Sequence, residues 1–281
     1  MNSRLLRLRF FVLGAPALAG FAVMYLYPFI RSLRYSMIDN TFRQNFVFLD
    51  NYKGLLDNQM FRMAAWNTFV FSVVAVVCVV TLSVALSLGL TRLSSRFMFI
   101  KNILISPMII PTASIIFVWQ LAFQNDFYRE LTRHAGGAAE FWTIVPIYLL
   151  YIWKNAGLNI IIISAAIAAI PAEIHEAAAL DGAKSLYMHR TVTLPLIFPS
   201  LLFVIVLSFV GALRVFRESY LFFGTDYPPD IAYTVQYFMN NHFNRLNYPV
   251  LAAASVLFTV IIAAMLLLIY SRENRHSDKI Y

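Results

Sequence analysis

The chain has 281 residues, 60% of them hydrophobic and only 13% charged, with a formal charge of +8. Soluble domains carry about 45–50% apolar and about 25% charged residues, so these values, with a mean hydropathy of +0.69, exclude a soluble globular domain and predict an all-α integral membrane protein. The 22 basic residues are scattered among apolar runs with no dense patch, which argues against nucleic acid as a partner and for membrane spans flanked by Lys and Arg, with lipid as the surrounding medium.

A span needs about 20 apolar residues, so the length suits about six transmembrane helices. The first apolar run, about 10–30, has a basic head and a small-residue "ALA" reminiscent of a signal peptide. It continues to Ile30, past any cleavage point, and is read as an uncleaved span. Further spans are expected at about 66–90, 100–123, 142–168, 197–219 and 250–270. The second holds the single cysteine, Cys78, expected to pack as a small hydrophobe. The third, "ILISPMIIPTASIIFVWQLAF", should kink at Pro107 and Pro111, because each removes a backbone donor. That kink serves either bundle packing or a gate.

Span four, "IYLLYIWKNAGLNIIIISAAIAAI", carries Lys154 and Asn155 at depth, with Asn159 one turn further on. A lysine inside a span faces the bundle or a wet cavity, so structural pairing and substrate contact both remain open. Span five carries Ser208, Gly211, Arg214 and Glu218 at helical spacing on one face. Arg214 and Glu218 are expected to meet as an i, i+4 pair, either bracing the helix or lining the outer half of a substrate path. The last outer loop, 220–249, gathers Tyr220, Phe222, Phe223, Tyr227, Tyr233, Tyr237, Phe238, Phe243 and Tyr248. Such residues suit an interfacial belt, a stacking surface for sugar, or a headgroup helix from Ile231 to Asn241. The clearest basic clusters, at 1–10, 91–101 and 271–281, predict that both termini are cytoplasmic.

Between spans four and five lies "IPAEIHEAAALDGAKSLYMHRTVTLP". Pro171 opens a helix, Glu173 sits where the dipole favours an acid, and Gly182 is placed to stop it in the left-handed region. An isolated helix of about eleven residues is marginal in water. It is either a solvated connector or an element that docks.

The segment "EAAALDGAKSLYMHRTVTLP" resembles the signature loop of ABC-transporter permeases: Glu176, Ala177, Ala178, Gly182, Val192, Leu194 and Pro195 fill its places. The preceding "IP" and the run Asp181-Gly182-Ala183 resemble the sugar-type branch, as do, more weakly, "FVFLDNYKGLL" (46–56), "WNT" (66–68) and 215–243. The branch's TGGGP-like turn after span five is replaced by "GTDYPPD", which points away from a maltose-like substrate. The resemblance implies a type I ABC importer permease fold and an inner-membrane permease subunit of an ATP-driven sugar or oligosaccharide importer. It implies a second homologous permease, cytoplasmic ATP-binding subunits and an extracytoplasmic solute-binding protein as partners. Glu176, Ala177, Ala178, Asp181 and Gly182 would form the loop that couples to the ATPase. Candidates for the substrate path are Lys154, Asn155, Asn159, Gly211, Arg214, Glu218 and Tyr220.

The implied organisation is a first span and outer loop over 1–65, a core permease domain over 66–270 with the coupling loop at 170–195, and a cytoplasmic tail over 271–281. No G-x-x-x-x-G-K-[ST] phosphate cradle occurs, so no enzymatic activity and no cofactor are expected of this chain, ATP and Mg²⁺ being used by the partner ATPase. The five histidines lack metal-ligand spacing, which argues against a membrane metalloenzyme. The alternative, an ion-coupled secondary transporter, would want an inverted repeat with paired broken helices, and no second copy of the 170–200 pattern occurs.

Overall fold

A computed structural model describes residues 14–90, 103–104, 106–134, 136–182 and 184–277. The expected basic clusters at 1–10 and 91–101, the start of the third span and the last four residues of the tail lie outside the described residues. In chain order the main helices are α1 (Tyr27–Tyr35), α2 (Asp50–Asp57), α3 (Gln59–Leu90), α4 (Thr112–Phe123), α5 (Asp126–His134) and α6 (Ala139–Ala168). They are followed by α7 (Ala172–Leu180), α8 (Phe198–Leu213), α9 (Phe216–Phe223), α10 (Val235–Asn244) and α11 (Tyr248–Ser277). Among the described residues the only β pairing is an isolated bridge between Ile38 and Phe46.

Among the described residues four helical stretches are long and apolar enough to cross a membrane: Gln59–Leu90, Ala139–Ala168, Phe198–Phe223 and Tyr248–Leu267. The expected first span is helical throughout 14–35. It takes a π turn at Ala22–Leu26 just before Pro28, where the ring breaks the regular ladder. The expected third span is broken: Pro111, with ψ of 132°, caps α4 instead of continuing the helix before it. Span five bends at Arg214, where α8 ends and α9 begins. The last helix runs through Ser277, so it extends beyond the apolar stretch, which ends at Leu267, into the segment expected as a tail.

The chain divides into two compact units, residues 1–62 with 238–264, and residues 63–237 with 265–281. In the first, the loop after α1 is tied by Asp39, whose carboxylate accepts from the Asn40 and Asn45 backbone N–H groups and the Asn45 amide at 2.6–3.0 Å. Partial desolvation pushes this carboxyl upward, but those bonds and the Arg43 charge outweigh it and hold Asp39 below the usual carboxylate range. Asn51 donates to the carbonyls of Ser36 and Ile38, and Tyr52 donates to Ser36 Oγ. This fastens α2 to the end of α1. Phe61 and Phe238 meet edge to face at 5.3 Å.

In the second unit, α6 and α8 form the centre. Ile163, Ile167, Ile197 and Val204 make a buried cluster, with Val80, Val84 and Leu88 of α3 against it. Ser87 donates to the Ile160 carbonyl at 3.1 Å, a bond between helices where no water competes. Pro146 lies inside α6 and leaves the carbonyl four residues earlier without its helical donor. That carbonyl, on Trp142, accepts the Tyr128 hydroxyl at 2.6 Å. Cys78 is exposed on the surface of the isolated chain, while α3 turns Ala75 and Val79 inward.

Candidate functional site

Two regions carry the sequence-based candidates. The first is a cavity of about 300 Å³ between α6, α8 and α9, at the small end of the range for ligand pockets. Tyr151, Asn155 and Asn159 recur every four residues on α6, so they share one face. Asn159 is 2% exposed and donates to Ser208 Oγ on α8 at 2.8 Å. The Tyr151 hydroxyl donates to the Ser208 carbonyl, and Asn155 donates to the Tyr151 carbonyl at 2.8 Å. The two bonds to Ser208 hold the polar face of α6 against α8, and the bond within α6 leaves the Asn155 side-chain oxygen, Oδ1, toward Gly211.

Lys154 reaches across the cavity. Its ammonium lies 2.6 Å from Glu218 Oε1 and 3.1 Å from Thr112 Oγ1, so one side chain links α4, α6 and α9. The expected Arg214–Glu218 pair does not form. The helix bends at Arg214, which takes φ −95° and ψ 5°, and the regular i, i+4 geometry is lost. Glu218 is taken by Lys154 instead.

Gly211 of α8 faces α6. The structure shows close approach: an added Cβ would stand 3.4 Å from the Tyr151 hydroxyl and 3.5 Å from Asn155 Oδ1. Gly211→Ala should therefore be tolerated, while Gly211→Leu should overpack the α6–α8 contact and destabilise the protein by about 1–3 kcal/mol. Thermal unfolding in detergent measures this, and equal midpoints for Leu and Gly would refute it.

Lys154, Asn155, Asn159, Gly211, Arg214 and Glu218 thus line one cavity. Tyr220 does not: its ring packs 5.4 Å from Phe216 and 6.1 Å from Tyr237. The outer-loop aromatics are largely packing elements, with Phe222, Tyr233, Tyr237 and Phe238 at most 3% exposed. Tyr227, Tyr233 and Tyr237 stack in series. The proposed headgroup helix is likewise not a surface element, since α10 buries Val235, Tyr237, Phe238 and Asn241. Sequence reasoning missed Tyr151 and Thr112. The four-residue spacing to Asn155 could have revealed Tyr151, whereas nothing local marks Thr112.

The second region is α7. It is capped by Pro171, begins with Glu173 in its first turn, and buries none of its residues. Leu180 is 89% exposed, and Gly182 takes φ of +79°, as the helix stop requires. Beyond it, Tyr187 is exposed, and Ala178, Asp181, Gly182, Lys184 and Thr191 border an open cleft. His175 and His189 each place a ring nitrogen 3.4 Å from the buried Thr193 hydroxyl. That anchors the rear of the loop to the start of span five. Glu176 and Ala177 are exposed and Ala178 half-buried, so the signature residues form a small-surfaced, partly acidic, apolar-tipped knob.

A family model described as "Binding-protein-dependent transport system inner membrane component" matches residues 82–276. The arabinooligosaccharides transport system permease protein AraP of Bacillus subtilis is 25% identical over 91% of this chain and 86% of its own length. The lactose transport system permease protein LacF of Rhizobium radiobacter is 27% identical over 90% of this chain and 89% of its own. A solved bacterial ABC transporter involved in the import of the acidic polysaccharide alginate superposes with a TM-score of 0.80 at 21% identity, covering 97% of this chain and 99% of that one. At that identity the likeness is one of fold.

Proposed function

The chain belongs to the family of binding-protein-dependent transport system inner membrane components, and on that premise we propose that it is one transmembrane subunit of an ATP-driven importer for a sugar or oligosaccharide. The solute class is supported by the curated relatives, permeases for arabinooligosaccharides and for lactose. An extracytoplasmic binding protein delivers the solute. A related solved transporter is described in complex with an alginate pentasaccharide-bound periplasmic protein, which supports that route. The chain pairs with a second, homologous permease, both termini face the cytoplasm, and the cavity between α6, α8 and α9 forms part of the path.

The observation that carries the coupling role is α7: nine residues long with no buried side chain. A helix of that length gains too little from its own hydrogen bonds to persist alone, and its exposed Leu180 offers an apolar anchor to a partner. The partner is a cytoplasmic ATPase, which supplies the nucleotide site and uses ATP and Mg²⁺. Glu176, Ala177, Ala178, Asp181 and Gly182 form the contact, the alanines allowing close backbone approach.

Purification of the assembled complex in mild detergent tests this directly. Mass identification should find a P-loop ATPase and a second permease with this chain. Isolation without any ATPase, together with uptake driven by an ion gradient in the absence of ATP, would overturn the proposal.

A further inference from the structure

Among the described residues three permanently or ordinarily charged side chains line the cavity: Lys154, Arg214 and Glu218. Lys154 and Glu218 neutralise each other at 2.6 Å, leaving Arg214 as the uncompensated charge and the cavity wall at net +1. The Arg214 backbone N–H donates to the Gly211 carbonyl at 3.0 Å, but among the described residues its guanidinium makes no hydrogen bond or ion pair. Arg214 is exposed, so its guanidinium is accessible from the cavity, whereas Arg217, three residues on and also exposed, is not part of this wall.

A guanidinium stays protonated at any physiological pH and presents five donors with no acceptor. Placed within a span, it is unfavourable unless paired, hydrated or snorkelling to the interface. The end of α8 supplies partial relief, because Arg214 caps that helix and the last carbonyls carry about half a negative charge. Among the described residues no acid supplies a full counter-charge. Beside it, the Asn155 side-chain oxygen faces the close approach at Gly211 and offers an acceptor to a hydroxyl. A planar fork of donors matches a carboxylate or other oxyanion in two-point contact, while the neighbouring amide suits a sugar hydroxyl.

We propose that the solute carried through this cavity is an acidic saccharide, one bearing a carboxylate or similar oxyanion, and that Arg214 is the residue that recognises the acid group. This deepens the importer reading and rests on it. Arg214 acts as a specificity residue, completing its charge pairing only when solute occupies the path, whereas Lys154 remains committed to Glu218.

The complete transporter, with its ATPase and binding protein, is reconstituted in liposomes and supplied with either a galacturonate trisaccharide or maltotriose. Uptake should favour the uronate. Arg214→Gln should lower uronate uptake about tenfold more than maltotriose uptake, equivalent to one charge-assisted contact, and Arg214→Lys should restore part of that preference. If neither probe is carried, the solute released from the denatured binding protein decides by its mass and charge: an acid supports the proposal and a neutral saccharide overturns it. Preferred uptake of maltotriose also overturns it. So does an equal loss of both activities in Arg214→Gln with poor complex recovery, which would assign the missing counter-charge to the second permease. Failure to recover any ATPase or any ATP-driven uptake would strike the importer reading itself, a result distinct from all of these.

Discussion

Replacing Glu218 by alanine is expected to reduce recovery of the folded complex sharply, and replacing Lys154 by alanine should do the same. The two groups lie 2.6 Å apart with side chains only 17% and 18% exposed. Removing either leaves the other charge stranded in a poorly hydrated cavity, a loss of about 3–5 kcal/mol for a fully buried pair; the residual exposure places this pair at about the lower bound. Removal of Glu218 leaves Lys154 with only the Thr112 hydroxyl. Removal of Lys154 loosens α4 from α6 as well as stranding the acid. The combined Lys154→Met and Glu218→Leu variant should regain most of the yield, because well-packed apolar side chains leave no charge unpaired. Yield and thermal midpoint in detergent give the measurement. Full yield and full uptake in both single variants would show that the pair braces nothing.

Gly182→Val is expected to leave the protein in the membrane but to separate ATP hydrolysis from uptake. The φ of +79° at this position is strained for any residue with a Cβ. An added Cβ would meet no atom within 4 Å, so the penalty lies wholly in the backbone. It should amount to about 1–2 kcal/mol. That would be minor in a long span, but α7 has nine residues and no buried side chain, so its C-terminal turn should fray and misplace Leu180. Uptake should fall by at least about tenfold for a loss of 1.4 kcal/mol while hydrolysis continues. Gly182→Asn, which enters the left-handed region more readily, should retain more transport. Normal uptake by the valine variant at normal expression would remove α7 from the coupling role.

Much of this architecture is legible in one dimension because lipid imposes a length and a composition on every span. Apolar runs of about 20 residues are the only way to cross with the backbone satisfied, and the spans stand near the places their runs indicate. Of the two prolines expected to kink the third span, Pro111 stands at the break before α4. The α7 stop follows from Gly182, since helix ends are governed by local backbone preference and need no distant partner. The candidate cavity was partly legible for a similar reason. Polar residues at three- and four-residue spacing within a span must share a face, and facing lipid with them is unfavourable.

The sequence by itself determined that this is a membrane bundle, where it turns, and which residues share the polar faces of spans four and five. Only the tertiary structure decided the pairings. Helical spacing favoured Arg214 for Glu218, yet the bend at Arg214 removes the regular i, i+4 geometry, and Lys154 from α6 makes the bond instead. Tyr220, also a candidate for the path, packs its ring against Phe216 and Tyr237 instead. Thr112 joins Lys154 only where the Pro111 break brings the start of α4 within reach. A repeat along one helix is a local property readable from spacing, whereas a charge chooses among partners by distance in space, and those distances are set by how the helices pack.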